Sequence, residues 1–435
     1  MTTGPATGMY LSNKTAPAKP DTKLGRTFHK LLAATAISTL GDGMYLAALP
    51  LLAVYLTDSP LVLGFVSAAG EIPWLVFGLH AGALVDRWDR RKVMWWVDAA
   101  RCVVVGVLCA LVLTSEATAL SIVLTAFLLG CGQVFFDVAA QSVIPDVVSR
   151  DERTLTVANG RMSAAQTNGE DFVGPPLGSA LFSIAHVLPF LGNAVSFAVS
   201  SVLVSRLKDG IPLRKPGKPE TTLRAEIGEG LRWMMRNRIL RVLAITACFG
   251  NMVFAAKATM LVLLAKEVFG LTDLGYGLLL TAAAVGAFGG SAIAPFLTGK
   301  LGPGRVRCFG AMAEGLAILA LGLTRDPWVA GALMVVTGGL MAIQNIVAGT
   351  LRQCITPARL FGRVLSSGRL VAYSGAPVGA LLGSVIASSL GVQALYIIGG
   401  AFLAVVGLLS LPALGTRAVA ELTKSEVADD EPVRE

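Results

Sequence analysis

A short basic segment, Gly82-Ala83-Leu84-Val85-Asp86-Arg87-Trp88-Asp89-Arg90-Arg91-Lys92, separates two apolar stretches at 61–81 and 93–114. Four of the six residues from Arg87 to Lys92 are cations, and cations are costly in the hydrocarbon core of a bilayer. The segment is therefore expected to be a loop at a membrane surface, and its positive charge indicates the cytoplasmic surface. The two flanking stretches are expected to cross the membrane.

Composition supports the same interpretation for the whole chain. Of 435 residues, 54% are hydrophobic and 15% are charged, and the mean hydropathy is +0.68. A soluble globule of this composition would expose too much apolar surface. Apolar stretches long enough to span a bilayer occur near 31–56, 61–85, 93–114, 118–144, 158–183, 187–206, 241–265, 274–299, 307–324, 327–350, 365–388 and 391–413. The sequence predicts an all-α membrane protein of about twelve transmembrane helices in two six-helix halves.

Polar segments mark the expected divisions of the chain. We expect a disordered cytoplasmic N-terminus at 1–27, an N-terminal half at 28–206, a cytoplasmic linker at 207–240, a C-terminal half at 241–414 and a disordered cytoplasmic tail at 415–435. Within the linker, apolar residues recur at helical spacing over 223–235 among charged ones. This pattern predicts a short helix that lies along the inner leaflet.

The distribution of lysine and arginine orients the helices. If residues 1–30 are cytoplasmic, nearly every basic connection falls on the same side, and the opposite loops carry only Lys266 and Arg325. The sequence thus predicts a multi-pass protein of the cell membrane with both termini in the cytoplasm. The net charge of +8 follows from this topology and does not indicate nucleic-acid binding. Residues 1–27 lack the apolar core of a signal peptide, so no cleaved leader is expected.

Motifs of enzymes and of ATP-driven pumps are missing from the sequence. It contains no phosphate-binding P-loop pattern, and His29, His80 and His186 are scattered without a zinc-protease motif. The six cysteines show no paired metal-ligand spacing, so neither disulfides nor structural zinc is expected. We expect no enzymatic activity, no cofactor and no metal ion.

Ionisable residues inside the spans are candidates for function, because each is costly near the bilayer midplane. Asp42 lies about eleven residues into the first span, roughly 17 Å deep at 1.5 Å per residue. The candidates for substrate or proton binding are Asp42, Glu71, Asp137, Glu170, Asp171 and Lys257. The alternative for each carboxylate is a structural role, hydrogen-bonded between helices or paired with Lys257. That lysine is more often a partner for an acid than a ligand for substrate.

Glu170 and Asp171 are adjacent, so their side chains point about 100° apart on a helix. Both are therefore not expected to face one cavity. Burial favours the neutral form of a carboxyl group, and a carboxyl whose surroundings alternate between wet and dry can take up and release a proton. This is the physical requirement of proton-coupled antiport.

Several motifs, in their order and spacing, resemble the major facilitator superfamily over about residues 25–413. The basic segment is similar to the loop between the second and third helices of these transporters; it matches at Gly82, Leu84, Asp86, Arg87, Arg90, Arg91 and Lys92 and departs at Val85 and Asp89. Further similar motifs are 37–42 with 49–50, 56–60, Asp98 with Arg101, Gln141 with Pro145, 158–159, 174–178 and 362–364. The resemblance is strongest to the bacterial branch of macrolide and multidrug efflux proteins and enterobactin-type siderophore exporters. It implies the major facilitator fold, with substrate held between the halves near the midplane.

The resemblance also suggests residue roles in the fifth helix. Gly174, Pro175 and Gly178 are similar to the proline-glycine motif of drug:proton antiporters, which can form a tight seal between the halves. The alternative is an ordinary kinked packing helix. The fourth helix lacks the arginine of the family pattern, so any proton-relay role of that arginine must be reassigned or abandoned.

A gate at the cytoplasmic surface is the expected role of a second set of charges. Asp98 and Arg101 share one helix face a turn or two inside the membrane, and in the family the acid equivalent to Asp86 pairs near the eleventh helix, which suggests Arg363 or Arg369. Glu314 is the expected counterpart in the second half. The gating candidates are Gly82, Asp86, Arg87, Arg90, Arg91, Asp98, Arg101, Glu314 and Arg363. A topological anchor explains the loop cations equally well, but it does not explain Asp86.

The sequence and the resemblance together predict a secondary-active, proton-coupled exporter of an amphipathic drug or secondary metabolite. The expected partners are a small-molecule substrate, protons and the lipid bilayer, with the protein as a monomer. Residues expected to line an apolar cavity are Trp74, Phe135, Phe136, Phe254 and Gln344. The alternative for each is to face lipid or to pack in the core. A siderophore exporter, a solute importer, and a membrane-embedded enzyme or scaffold are the alternatives that the sequence leaves open.

Overall fold

The computed structural model describes residues 24–57, 59–85, 88–148, 152–207, 223–357 and 360–415. Their regular structure is entirely helical. The helices are α1 (Arg26–Leu56), α2 (Pro60–Val85), α3 (Arg90–Leu113), α4 (Ala119–Val147), α5 (Glu152–Thr167), α6 (Gly174–Ile184), α7 (Leu188–Ser205), α8 (Leu223–Arg236), α9 (Arg238–Leu263), α10 (Asp273–Leu301), α11 (Pro303–Leu323), α12 (Pro327–Ile355), α13 (Phe361–Leu390) and α14 (Val392–Leu414). Two π-helical turns, Asn168–Val173 and Leu264–Val268, continue α5 and α9. The segments 1–23, 208–222 and 416–435, which hold most of the expected termini and part of the linker, lie outside the described residues.

Twelve membrane spans account for nearly all of this structure. Eleven helices are long and apolar enough to cross a membrane, and α5, its π-helical turn and α6 form one more continuous helix over 152–184. The prediction of an all-α protein with about twelve transmembrane helices is confirmed. The spans alternate in direction, so the first and last of them begin and end on one side. We call this side the terminus end and the opposite side the far end.

The π-helical turn in the fifth span follows from two consecutive prolines. Pro175 and Pro176 have no backbone N–H, so the carbonyl groups one turn earlier lose their α-helical partners. The wider π register re-forms part of the ladder, and the N–H of Gly174 donates to the carbonyl of Gly169. Such turns are frequent at functional positions in helices, and this one contains Glu170.

Two six-span units are distinguished by their buried apolar residues. Helices α1 to α7 form the N-terminal half and α9 to α14 form the C-terminal half. One apolar cluster draws on both halves toward the far end and includes Leu52 and Phe190 of the first half with Met260 and Tyr396 of the second. The other two clusters of the described residues each draw on one half and lie toward the terminus end. The halves are therefore joined by a shared core at the far end and have separate cores at the terminus end.

The seam between the halves depends on close helix approaches. A Cβ atom on Gly64 of α2 would lie 2.2 Å from the hydroxyl of Ser384 of α13, and one on Gly277 of α10 would lie 2.6 Å from that of Ser179 of α6. No side chain fits at these two positions without displacing the opposite helix. Glycine at both of them thus allows the halves to meet near the far end.

Helix α8 lies under the C-terminal half at the terminus end. Gly230 packs directly on the backbone of Arg363, where a Cβ would lie 2.4 Å from the carbonyl oxygen. Met234 is buried in the apolar cluster of that half, and Glu229 forms an ion pair with Arg363. The helix expected in the linker is present and is fixed to α13.

Candidate functional site

The N-terminal half encloses an ion pair between its first and third spans. A guanidinium nitrogen of Arg101 on α3 lies 3.3 Å from a carboxylate oxygen of Asp42 on α1, and the side chains are 4% and 11% exposed. Gly132 on α4 provides the space, because a Cβ there would lie 2.7 Å from the Arg101 side chain. The Phe197 ring of α7 stacks on the guanidinium, with 4.4 Å between the ring centroid and Cζ. Four helices thus hold one arginine against Asp42.

Further polar groups extend this pair into a network. The guanidinium of Arg101 donates to the amide oxygen of Gln133, and the Gln133 amide nitrogen donates to Asp137 at 3.0 Å. Both residues lie on α4 and are half-buried. Glu170, in the π-helical turn, is within electrostatic range of Asp42, Asp137 and Arg101. We call Asp42, Asp98, Arg101, Gln133, Asp137 and Glu170 the N-centre.

Asp98 belongs to the same network. Its carboxylate accepts a hydrogen bond of 2.5 Å from the hydroxyl of Ser200 on α7 and lies 3.8 Å from Arg101. The sequence grouped Asp98 and Arg101 with the basic loop at the terminus end. The structure instead groups them with Asp42, because the long arginine side chain reaches from α3 across to α1.

The C-terminal half has its own buried polar network. On α11, the guanidinium of Arg307 donates to the amide oxygen of Gln344 on α12, and the Gln344 amide nitrogen donates to Glu314. Arg307 also donates to the hydroxyl of Thr246 on α9 at 3.3 Å. All four side chains belong to residues less than 9% exposed. An arginine, a glutamine and a carboxylate thus form a relay in each half.

Lys257 on α9 completes the second network. Its ammonium lies 3.5 Å from the hydroxyl of Thr337 on α12 and 5.7 Å from the centroid of the Phe254 ring. It is also within electrostatic range of Glu314. We call Lys257, Arg307, Glu314 and Gln344 the C-centre.

Two other candidate acids stand apart from both centres. Asp171 is exposed while the adjacent Glu170 is half-buried, and only Glu170 interacts with the N-centre. Glu71 is half-buried on α2, one turn before Trp74, whose ring stacks on Tyr373 of α13 with 6.3 Å between centroids. Helical spacing therefore places Glu71 on the face of α2 toward the seam between the halves.

The candidate gating residues of the basic loop are only partly described. Gly82 lies within α2, and Asp86 and Arg87 lie outside the described residues. Asp89 caps the N-terminus of α3, where its carboxylate accepts from the backbone N–H groups of Arg91 and Lys92 at 3.1 and 3.3 Å. The acid at which the loop departs from the family pattern is therefore engaged by the helix end.

The loop cations bind backbone carbonyl groups of neighbouring spans. Arg90 donates to the carbonyl oxygen of Ser142 at 3.1 Å and Arg91 to that of Val204 at 3.3 Å. Arg363, the expected partner of Asp86, pairs with Glu229 of α8. These contacts tie α3 to α4 and α7, and α13 to α8, at the terminus end.

Aromatic residues expected to line a cavity divide into two groups. Phe254 is 39% exposed, Trp74 and Phe135 are half-buried, and Phe135 contacts Phe77 with 6.1 Å between centroids. Phe136 is instead buried in the core of the N-terminal half. Adjacent residues point about 100° apart on a helix, so Phe135 and Phe136 do not share a face.

The motif of the fifth span lies between α1 and the other half. A Cβ on Gly174 would lie 2.5 Å from Cα of Gly43 on α1, and Gly178 is equally close to Met44. On its other side, the carbonyl of Pro175 adjoins Gly277 of α10. The motif thus links the helix that carries Asp42 to the seam.

Sequence reasoning missed several members of these networks. Gln133, Ser200, Thr246 and Arg307 were not among the candidates. The first two bond to the candidates Arg101 and Asp98, Arg307 bonds to Gln344, and Thr246 bonds to Arg307. The sequence contains a signal for Gln133 and Arg307, since a strongly polar side chain in a span usually faces the protein interior. Serine and threonine give no such signal, because they are common in spans and bond to their own helix.

A separate cavity of about 200 Å³ lies in the C-terminal half between α9, α13 and α14. Its lining is almost entirely apolar, with Met252, Gly383 and Phe402 among the residues that form it. Lys257 is the only charged residue of that lining. This lining offers a ligand one charged side chain, which belongs to the C-centre.

Solved structures of similar shape show the same architecture. The nucleoside transporter NupG superposes with a TM-score of 0.73 at 13% identity, covering 90% of this chain and 100% of that one. A bacterial homologue of the iron transporter ferroportin, in an inward-facing state, superposes with a TM-score of 0.70 at 17% identity, covering 90% and 100%. These similarities define the fold, which is that of a major facilitator transporter.

Sequence comparison identifies the family. The sequence model described as transmembrane secretion effector matches residues 22–433, and the chain belongs to this family of the major facilitator superfamily. It is 26% identical to the multidrug efflux pump Tap of Mycolicibacterium fortuitum, over 84% of this chain and 90% of that protein. It is 23% identical to macrolide efflux protein A of Streptococcus pyogenes, over 86% and 92%. The predicted family is confirmed, and the protein is a multi-pass membrane transporter, not an enzyme.

Proposed function

We propose that this transporter is a proton-coupled exporter of an amphipathic organic compound and works by alternating access in the cell membrane. The observation that carries the proposal is the Asp42–Arg101 ion pair inside the N-terminal half. Related antiporters carry a proton-relay arginine on the fourth span, which this chain lacks. Arg101 of the third span takes that role here and reaches the fourth span through Gln133.

One guanidinium serves three carboxylates in the N-centre. A proton that binds Asp42 neutralises this carboxylate and so weakens its ion pair with Arg101. Arg101 retains its direct interaction with Asp98 and its link to Asp137 through Gln133. The attraction between α1 and α3 then weakens. Protonation of a single carboxylate thus changes which helices are held together.

The packing of α1 gives this change a route to the seam. Gly43, next to Asp42, touches Gly174 at the start of α6. The same helix touches Gly277 of the other half through Pro175 and Ser179. A shift of α1 therefore acts on the contact that closes the far end.

Export and orientation rest on two further observations. The relatives with named activities are efflux proteins, and the distribution of basic residues favours a cytoplasmic terminus end. The cores of the two halves are separate at that end. With both termini in the cytoplasm, the end at which the halves have separate cores is the cytoplasmic end, from which an exporter takes up its substrate.

The test is uptake into acid-loaded proteoliposomes, in which protons leaving the lumen drive the substrate inward. The panel contains radiolabelled erythromycin and the fluorescent amphipathic acid 11-(dansylamino)undecanoic acid. For each compound that the wild type accumulates, Asp42→Asn should lower gradient-driven uptake at least about tenfold. Asp273→Asn, which removes an ion pair of 2.7 Å with Lys266 at the far end, is the matched control and should retain uptake. Undiminished gradient-driven uptake by Asp42→Asn would refute the assignment.

A further inference from the structure

The two centres are built on the same frame with the charges reversed. In the first, third and fourth spans of the N-terminal half stand Asp42, Arg101 and Gln133. In the corresponding spans of the C-terminal half, α9, α11 and α12, stand Lys257, Glu314 and Gln344. An acid on the first span of one half thus corresponds to a cation on the first span of the other.

Helix register supports this correspondence. Arg101 lies eleven residues after Arg90, the first residue of α3, and Glu314 lies eleven residues after Pro303, the first residue of α11. In both halves the glutamine of the fourth span bonds to a charged residue at this depth of the third span, and Gln344 bonds in addition to Arg307. Arg101 and Glu314 therefore lie at equal depth with opposite signs, while Arg307 adds a cation nearer the start of α11.

The charges of the C-centre do not balance. Lys257 and Arg307 are both cationic when protonated, and Glu314 is the only acid among their described neighbours within electrostatic range. Glu314 is already hydrogen-bonded by Gln344, which also accepts from Arg307. An excess charge in a buried site is unfavourable unless a counter-charge joins it. The ammonium of Lys257, with one hydrogen bond of 3.5 Å, is the group left to receive that counter-charge.

Lys257 lies beside a partly exposed aromatic residue of its own helix. Helix α9 packs on α13 through the backbone of Cys248 and Met252 and on α14 through Val253. Phe254 follows Met252 by two residues, about 200° around the helix, and therefore faces away from α13. Its ring is 39% exposed and is the neighbour of the Lys257 ammonium. A ligand that reaches Phe254 is then one side-chain rotation away from the cation.

We propose that Lys257 binds an acidic group of the transported compound, so that the substrates are amphipathic organic acids whose carboxylate pairs with Lys257 and whose apolar part packs near Phe254. The proposal rests on the exporter function above. It assigns the proton to the N-centre and the anionic end of the substrate to the C-centre. Glu314 keeps Gln344 and Arg307 as partners while Lys257 turns to the ligand.

The experiment compares one probe with and without its charge. Purified protein in nanodiscs, with no pH gradient, is titrated at pH 7.5 with 11-(dansylamino)undecanoic acid and with its methyl ester. Wild-type protein should bind the acid at least about tenfold more tightly, as expected for a hydrogen bond between opposite charges. Lys257→Met should reduce this preference to less than about threefold, and Lys257→Arg should retain it. Lys266→Met, which removes a cation at the far end, should leave the preference unchanged.

Equal binding of acid and ester by the wild type overturns the inference without any variant, as does a full acid preference in a folded Lys257→Met protein. If Lys257→Met does not fold, Lys257→Gln is measured in its place. The binding experiment and the uptake test of the exporter function can fail independently of each other. Asp42→Asn should keep the acid preference and lose gradient-driven uptake. Acid preference without proton-driven transport would refute the exporter function alone. Proton-driven transport without acid preference would refute this inference alone.

Discussion

The two halves of the transporter share a frame but carry different chemistry. In the N-terminal half, Arg101 stands among the carboxylates of Asp42, Asp98 and Asp137. In the C-terminal half, Glu314 stands between two cations, Lys257 and Arg307. The positions of the helices are repeated while the sign of the charge is not. The comparison teaches that a repeated fold can hold carboxylates around a cation in one half and cations around a carboxylate in the other.

Removal of the central charge of each half gives the largest expected effect. Arg101→Met leaves the buried Asp42 and Asp98 and the half-buried Asp137 without a cation, which should lower the free energy of unfolding by about 3–5 kcal/mol and abolish transport. Glu314→Gln should cost less, because two like charges remain instead of three and the new side chain can still accept from Gln344. The measurement is the apparent melting temperature of each purified variant in detergent. A larger loss for Glu314→Gln than for Arg101→Met would contradict the proposed difference between the halves.

The two adjacent acids of the fifth span sharpen the comparison within the N-centre. Glu170→Gln removes a carboxyl that interacts with Asp42 and Asp137 and should reduce gradient-driven uptake about tenfold. Asp171→Asn changes an exposed neighbour with no such interaction and should reduce it less than about twofold. Both are read from initial uptake rates in acid-loaded proteoliposomes. Equal losses would show that position in the span, and not contact with the N-centre, decides the effect.

Matched helix caps provide the smallest effect and a baseline for both halves. Asp89 caps α3 and Asp326 caps α12, and each carboxylate accepts from two backbone N–H groups. Asp89→Ala and Asp326→Ala should each cost about 1 kcal/mol of stability, with gradient-driven uptake retained. Melting temperatures and uptake rates check this. Loss of uptake by Asp89→Ala at unchanged stability would instead indicate a role of Asp89 in transport.

The span positions were predictable from the sequence, whereas the partners of the intramembrane charges were not. Length and hydropathy determine where a helix crosses a bilayer, so the predicted stretch 327–350 lies within α12. Which helices meet depends on packing, and the Asp42–Arg101 contact joins residues that are 59 positions apart in the chain. The depth of Arg101 alone indicates a surface role, whereas its long side chain carries the charge across to a neighbouring helix.

Other differences came from signals that the sequence did contain. Asp89 directly precedes the helix that starts at Arg90, which is the usual position of a capping acid. Pro175 and Pro176 indicate a disturbed hydrogen-bond ladder before them, and the structure has a π-helical turn there. The charge-reversed frame needed the structure, because it depends on Gln133 and Gln344, whose partners lie on another helix.

The π-helical turn at Asn168–Val173 has a rotational consequence. Such a turn holds about one residue more than an α-helical turn, and one residue corresponds to about 100° of rotation. If the position of the π-helical turn shifted past Glu170, the segment around Glu170 would rotate by this angle. The side chain of Asp171 would then take the place of the Glu170 side chain, while the prolines that follow would keep their contact with α10. The fifth span therefore contains a joint at which one carboxylate can replace its neighbour without a movement of either helix end.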